Sequence, residues 1–92
     1  MLVCRIAWDA EGKENARGQH LPAHRDHLRS GTIKIVHSGP LYAADETGAK
    51  LGALIVFDVA DFGEVERFNV SDPYVAHGVY GEIVMARWDK TI

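Results

Sequence analysis

The sequence predicts a single α+β domain with the element order βαββαβ. Its 92 residues are enough for one domain. Four apolar stretches have the alternating or continuous patterns of β-strands, and two stretches between them have apolar residues at helical spacing. Two βαβ halves with right-handed crossovers fold most simply into a four-stranded antiparallel sheet with both helices on one face.

The first strand and the first helix make up the N-terminal third of the chain. Leu2 to Trp8 alternates in the manner of a strand, and Asp9 to Gly18 is a polar connection in which a helical lead-in is an alternative. A helix is predicted from Gln19 to Ser30, with Pro22 in its first turn or at a kink and Gly31 as its C-terminal cap. The apolar stripe of this helix comprises Leu21, His24 and Leu28.

The second and third strands form a predicted hairpin. Thr32 to Leu41 is the second strand, interrupted by Gly39-Pro40, and a proline cannot donate to a ladder, so this end lies on an edge or at a bulge. Residues 45–48 form the turn. Leu51 to Asp58 is almost wholly apolar, which predicts burial on both faces.

The second helix begins at a capping box in which Asp61 takes the place of the usual Ser or Thr and Glu64 is the third helical residue. Its inward stripe comprises Phe62, Val65 and Phe68. Ser71-Asp72-Pro73 ends it, because a residue before proline avoids helical geometry. The last strand runs from Val79 to Trp88.

The sheet face away from the helices is predicted to be too apolar for water. In the last strand, Val79, Ile83 and Met85 point one way, and Tyr80, Val84, Ala86 and Trp88 point the other. A surface of this kind needs a second sheet. The sequence therefore predicts a homodimer with its sheets packed face to face.

Composition excludes several classes of function. Ten Lys and Arg against 13 Asp and Glu give a formal charge of −3 without any basic run, which argues against a nucleic acid or an anionic membrane as partner. Cys4 is the only cysteine, so an internal disulfide is impossible, and a buried inert thiol is expected. The N-terminal residues lack the apolar core of a signal peptide and no membrane span is present, so we expect a cytoplasmic protein.

Three of the five histidines, His20, His24 and His27, would share a narrow arc on a continuous helix. Such an arc is a possible metal site, but Pro22 interrupts it and no nearby Cys or Glu completes the ligand set. We therefore predict no metal site. His37 and His77 are assigned only surface or packing roles.

His24 and Asp72 form the candidate catalytic pair. His24 lies between leucines on the inward stripe, and two helices on one side of the sheet could bring Asp72 to it across 48 positions. A carboxylate beside an imidazole fixes its tautomer and raises its basicity, as a general base requires. The alternatives are a core histidine bonded to a backbone carbonyl and an aspartate that only caps its own turn.

Several segments together resemble the YCII-related domain family across nearly the whole chain. They are His20-Leu21-Pro22-Ala23-His24 (the family's R-P-A-H), Ser38-Gly39-Pro40-Leu41 (A-G-P-L), Gly52, and Asp72-Pro73-Tyr74-Val75 with Gly78 (D-P-Y-V-x-x-G). The resemblance implies a ferredoxin-like fold over residues 1–92 that dimerises into an α/β barrel. It also implies an active site of His24 and Asp72, with no metal or organic cofactor.

Two departures from the family pattern bear on the substrate. Leu21 stands where the family usually has arginine, and Arg25 where it usually has leucine. If the family's arginine holds an anionic substrate group, that role is either vacant in this chain or taken over by Arg25, which is the candidate substrate-binding cation. The remaining residues predicted to contact substrate are Ser38, Gly39, Pro40 and Tyr74.

Three functions are compatible with these residues. The first is a small cofactor-independent lyase or isomerase acting on a cyclic or aromatic metabolite, since related activities include dehydrochlorination of a chlorinated hydroquinone and muconolactone-type isomerisation. The second is a non-catalytic domain that binds a small molecule in the same pocket. The third is an oxygenase, with or without haem. It is the weakest of the three, because Trp8 and Trp88 are expected to pack in the core or interface rather than to contact a substrate.

Overall fold

A computed structural model describes residues 1–92 as one antiparallel sheet with helices on one face. The strands are β1 (Leu2–Asp9), β2 (Lys34–Tyr42), β3 (Lys50–Asp58) and β4 (Tyr80–Trp88). The helices are α1 (Glu14–Leu28), α2 (Phe62–Ser71) and α3 (Pro73–Ala76). The spatial order β2-β3-β1-β4 confirms the predicted α+β, ferredoxin-like arrangement, with one short helix added. No helix has the length and apolar character needed to cross a membrane.

The main core lies between the sheet and the helices. β1 alternates strictly, and its inward residues Val3, Arg5 and Ala7 are fully buried. Phe57 of β3 packs edge-on against Phe68 of α2, with ring centroids 5.1 Å apart. Burying a side chain of this size contributes about 1.5–3 kcal/mol, so this cluster attaches α2 to the sheet.

The first helix begins earlier than the sequence predicts. α1 starts at Glu14 rather than Gln19, ends at Leu28, and contains Pro22 in its interior. Lys13 gives no side-chain cap at its start, and His24 is its only buried residue. With neither a capping signal nor a continuous apolar stripe, the sequence does not mark where this helix begins.

The second helix has the predicted capping box. The Glu64 backbone N–H donates to Oδ1 of Asp61 at 3.2 Å, and the Asp61 N–H donates to Oε2 of Glu64 at 3.4 Å. The short helix α3, which sequence patterns did not predict, begins immediately after Asp72, whose side chain accepts from the Tyr74 N–H. Pro73 occupies its first position, where a missing N–H has no consequence.

The edge position predicted from Pro40 is confirmed. β2 is the outermost strand beside β3, and its register shifts between Ile35 and His37 and again between Leu41 and Tyr42. An edge strand does not need every N–H for pairing, which is why proline is tolerated there.

The opposite side of the sheet carries no helix, and we call it the open face. It presents Leu2, Cys4, Ile6 and Trp8 from β1, Leu54 and Val56 from β3, and Val84, Ala86 and Trp88 from β4. Trp8 and Trp88 are each 38% exposed. The predicted apolar face is therefore present in the single chain.

The prediction that Tyr80 points the same way as Val84, Ala86 and Trp88 is wrong. Ala7 pairs with Ile83 and Asp9 with Tyr80, so β4 has one extra residue against β1. Such a bulge reverses the side-chain alternation. Tyr80 is consequently buried on the helix side with Tyr74 and Val79.

Gly52 is required by the close approach of β1. A Cβ at this position would lie 2.0 Å from the carbonyl oxygen of Ala7. We expect Gly52→Ala to lower the free energy of unfolding by about 1–3 kcal/mol or more, because the strands must separate. Gly81→Ala is the matched strand control, since its Cβ would meet only ordinary contacts of 3.8 Å or longer. Urea denaturation measures both, and equal midpoints for the two variants would contradict the packing argument.

Candidate active site

His24 and Asp72 are in direct contact. Nδ1 of His24 lies 2.8 Å from Oδ1 of Asp72, and both side chains are buried, with His24 7% and Asp72 0% exposed. His24 comes from α1, and Asp72 from the junction of α2 and α3. The contact predicted across 48 positions is confirmed.

Asp72 both contacts His24 and caps its own turn, although the sequence alone presents these two roles as alternatives. Its Oδ1 accepts from both His24 and the Tyr74 N–H, the latter at 3.0 Å. Its Oδ2 accepts from Nη1 of Arg5 at 3.0 Å. The same carboxylate therefore begins α3 and orients the imidazole.

The sequence prediction missed Arg5, whose side chain is fully buried beneath the pair. Its guanidinium carbon lies 5.4 Å from the ring centroids of both Phe68 and Tyr80, and Nη1 also donates to Oδ1 of Asn69 at 2.8 Å. The only signal in the sequence is an arginine on the same parity as Val3 and Ala7 in a strand. That pattern places a charge in the core, where it requires a partner.

The surroundings of Asp72 favour its ionised form. Burial alone would raise the pKa of Asp72, but the hydrogen bond and charge of His24, the charge of Arg5 and the Tyr74 N–H together lower it below its usual value. An ionised carboxylate only accepts, so Nδ1 of His24 carries the proton in this contact. Nε2 has no hydrogen-bond partner in the protein, and whenever the ring is uncharged this nitrogen carries the lone pair that can accept a proton.

Aromatic contacts fix the plane of the imidazole. The rings of His24 and Tyr74 stack at 3.9 Å with an angle of 6°, and Tyr80 meets His24 edge-on at 6.3 Å. Burial raises the pKa of Tyr74, whose hydroxyl donates to the Arg17 carbonyl at 3.1 Å, and raises the pKa of Tyr80 to about 12. Both phenols therefore stay protonated at neutral pH and cannot serve as bases there.

A cavity of about 290 Å³ opens beside His24, and we call it the His24 cavity. Its 13 lining residues come from α1, β2, β3, α3 and β4. Every residue that the sequence predicts to contact substrate lies in this wall, namely Arg25, Ser38, Gly39, Pro40 and Tyr74. Asp72 is not in the wall and lies behind His24.

The wall also contains polar residues that the sequence did not single out, namely Arg17, Tyr42, Lys50 and Tyr80. Arg17 lies in the stretch predicted as a polar connection, and Lys50 precedes the predicted start of the third strand. Neither has a local pattern that distinguishes it from a solvated surface charge.

The remaining histidines do not assemble around His24. His20 stacks on His77 with centroids 3.6 Å apart, and Nε2 of His27 lies 2.9 Å from the Phe68 carbonyl oxygen. His37 is exposed on β2. No three His, Cys, Asp or Glu side chains are grouped as metal ligands.

Taken together, the βαββαβ sheet, the buried aspartate behind a histidine and the adjoining cavity define a small ferredoxin-like domain with one polar centre. A model of the YCII-related domain matches residues 1–89, and the chain belongs to that family. No curated protein is similar enough in sequence to match it.

Solved structures agree with the fold. The chain resembles 5-chloro-2-hydroxyhydroquinone dehydrochlorinase from Burkholderia phenoliruptrix AC1100, solved with 2,5-dihydroxybenzoquinone, at a TM-score of 0.83 and 24% identity over 97% of this chain and 94% of that one. A protein of Arabidopsis thaliana, At3g17210, matches at a TM-score of 0.54 and 11% identity over 99% and 95%.

Asp72→Asn is expected to be strongly destabilising at neutral pH. It leaves the buried guanidinium of Arg5 without its anionic partner, and breaking a buried pair from one side costs about 3–5 kcal/mol. The double variant Arg5→Met/Asp72→Asn should recover part of that loss, because it removes the unpaired charge as well. Urea denaturation at pH 7 gives the free energy of unfolding of wild type, the two single variants and the double variant. A loss in the double variant equal to the sum of the two single losses would contradict a coupled Arg5–Asp72 pair.

The stability contributed by Asp72 should disappear in acid. Its pKa is lower in the folded protein than the usual 3.8, so the contribution is complete above about pH 5 and is lost as the pH falls through the folded pKa. The difference in unfolding free energy between wild type and Asp72→Asn should therefore shrink below about pH 4. Asp26→Asn, on the exposed side of α1, is the control and should show no such convergence. A difference that stays constant down to pH 3 would count against an ionised Asp72.

Proposed function

We propose that this protein is a cofactor-independent enzyme, a lyase or isomerase, that acts on a small cyclic or aromatic metabolite. The observation that carries the proposal is the position of His24, whose Nδ1 contacts the buried Asp72 while the side chain lines a cavity. A base needs a held tautomer, a free nitrogen and a place for substrate, and these three occur together here.

In the proposed reaction, Nε2 of His24 takes a proton from the substrate, and Asp72 stabilises the imidazolium that forms. For dehydrochlorination, the electron pair left behind forms the new double bond, the carbon–chlorine bond breaks, and chloride leaves with its bonding pair. The imidazolium then releases the proton to water, so that the net loss from the substrate is HCl. For isomerisation, it returns the proton to another atom of the same substrate.

Cavity size supports a substrate with a single ring. An apolar cavity of about 150 Å³ accommodates benzene, and the His24 cavity has about 290 Å³. A ring with two or three small substituents therefore fits. The structural neighbour with a TM-score of 0.83 is a dehydrochlorinase bound to a quinone of this size, which supports the same class of substrate.

His24→Gln should lower turnover by roughly 10²–10⁴-fold. Glutamine preserves a hydrogen bond to Asp72 but cannot take a proton at neutral pH. We would assay chloride release from 5-chloro-2-hydroxyhydroquinone and isomerisation of muconolactone-type lactones. His20→Gln, on the same helix but outside the cavity wall, is the matched control and should leave rates unchanged. If wild type binds these compounds but turns none over, the non-catalytic binding domain becomes the better description.

We also propose that the protein is a homodimer in which two open faces pack together into an α/β barrel. The support is the row of apolar side chains on that face, including Trp8, Val84 and Trp88, which no element of the same chain covers. Exposed apolar surface of this extent is stabilised by association.

Val84→Glu or Trp88→Glu should produce monomeric or insoluble protein, because either places a charge in the proposed interface. Val70→Glu is the control: Val70 is 79% exposed but lies on α2, away from the sheet. Sedimentation equilibrium at micromolar concentration distinguishes the outcomes. A monomeric wild type, or a dimeric Val84→Glu, would refute this interface.

A further inference from the structure

The His24 cavity has an unbalanced positive charge. Arg17, Arg25 and Lys50 line it, and none of its 13 lining residues is an aspartate or glutamate. The chain as a whole has a formal charge of −3, so a wall with cations alone is a local departure from the composition.

Only one of the three cations has a partner. Arg17 forms an ion pair with Asp9, whereas Arg25 and Lys50 make neither a salt bridge nor a side-chain hydrogen bond. Two positive charges at the cavity are therefore available to a ligand. They come from different elements, Arg25 from α1 and Lys50 from the start of β3.

Electrostatics around Lys50 point the same way. Partial burial and then the charge of Arg17 lower the pKa of Lys50, and Asp9 offsets this only in part. The charge of Arg25 also reaches the Tyr74 hydroxyl, where it acts against the effect of burial on the Tyr74 pKa. Tyr74 stacks on His24, and Arg25, Lys50 and the imidazole line the same cavity.

The rest of the wall suits a ring. Leu21, Pro40, Ala53 and Tyr80 contribute apolar or aromatic surface to the same cavity. Apolar contacts hold the body of a ligand, and a few charged groups fix its orientation.

We propose that the cavity selects a single-ring anion, with its phenolate or carboxylate bound by Arg25 and Lys50 and its ring against His24. This inference rests on the proposed function, since it names the substrate class of the same site. Arg25 and Lys50 would then also stabilise the negative charge that develops when His24 removes a proton.

Binding of defined probes tests the proposal without turnover. Isothermal titration would compare benzoate with its neutral counterpart benzamide, and 2,5-dihydroxybenzoquinone, a vinylogous acid, with hydroquinone. We expect at least one anion to bind roughly tenfold or more tightly than its neutral counterpart, as for a charge-assisted hydrogen bond. The pair that meets this criterion distinguishes a carboxylate from a phenolate-type ligand. Raising the salt concentration should weaken binding of the anion and leave the affinity for the neutral probe unchanged.

Substitutions locate the charge. Arg25→Met and Lys50→Met keep an apolar stem, and each should weaken anion binding about threefold to tenfold while leaving the neutral probe unaffected. Arg29→Met, an exposed residue at the end of α1 outside the cavity wall, is the control and should change neither.

The inference is overturned if wild type binds the anion and the neutral probe with equal affinity. It is also overturned if both Arg25→Met and Lys50→Met leave the affinity for the anion unchanged. Its failure is separable from failure of the proposed function. If turnover depends on His24 but anions bind no more tightly than neutral probes, the anion inference fails and the proposed function stands. If anions bind selectively but no compound is turned over, this inference stands and the proposed enzymatic function fails.

Discussion

The buried carboxylate of Asp72 is the interaction on which the rest of the site depends. A charge with no exposure to water is costly unless an opposite charge and hydrogen bonds compensate for the lost hydration. Here the partners come from three separate elements, since Arg5 belongs to β1, His24 to α1 and the Tyr74 N–H to α3. The carboxylate thereby connects the sheet to all of the helical segments around the cavity.

This arrangement makes a structural requirement and a chemical one coincide. Asp72 must accept from Nδ1 to be satisfied, and that contact leaves Nε2 as the free nitrogen of His24. The stack of His24 on Tyr74, which α3 holds in place, then fixes the plane of the ring. In the proposed reaction, an imidazole held in this way would need little rearrangement before it accepts a proton.

The two faces of the sheet serve different purposes. The helix side contains the core, the buried ion pair and the His24 cavity, whereas the open face contains apolar residues that the chain itself leaves uncovered. A small domain of this kind buries a limited share of its surface. Association through the open face, as proposed, would supply apolar burial without disturbing the polar centre on the other side.

The sequence by itself determined the element order, the edge position of the proline-containing strand, the capping box at Asp61 and the candidate pair His24 and Asp72. These follow from local rules, because alternation, capping and proline act over a few residues, and from family motifs that mark the pair. It could not determine the start of α1, which has neither a cap nor a continuous apolar stripe, or the side on which Tyr80 lies, because a bulge depends on the register between two strands.

Only the tertiary structure decided that Arg5 pairs with Asp72 and that Lys50 joins Arg25 at the cavity. Arg5 and Asp72 are 67 positions apart, and no pattern in either segment refers to the other. Charge pairing over such a separation is set by where the chain crossovers place each strand and helix. The physical reason is that ion pairs and cavities are properties of three-dimensional packing, whereas strands, turns and caps are properties of neighbouring residues.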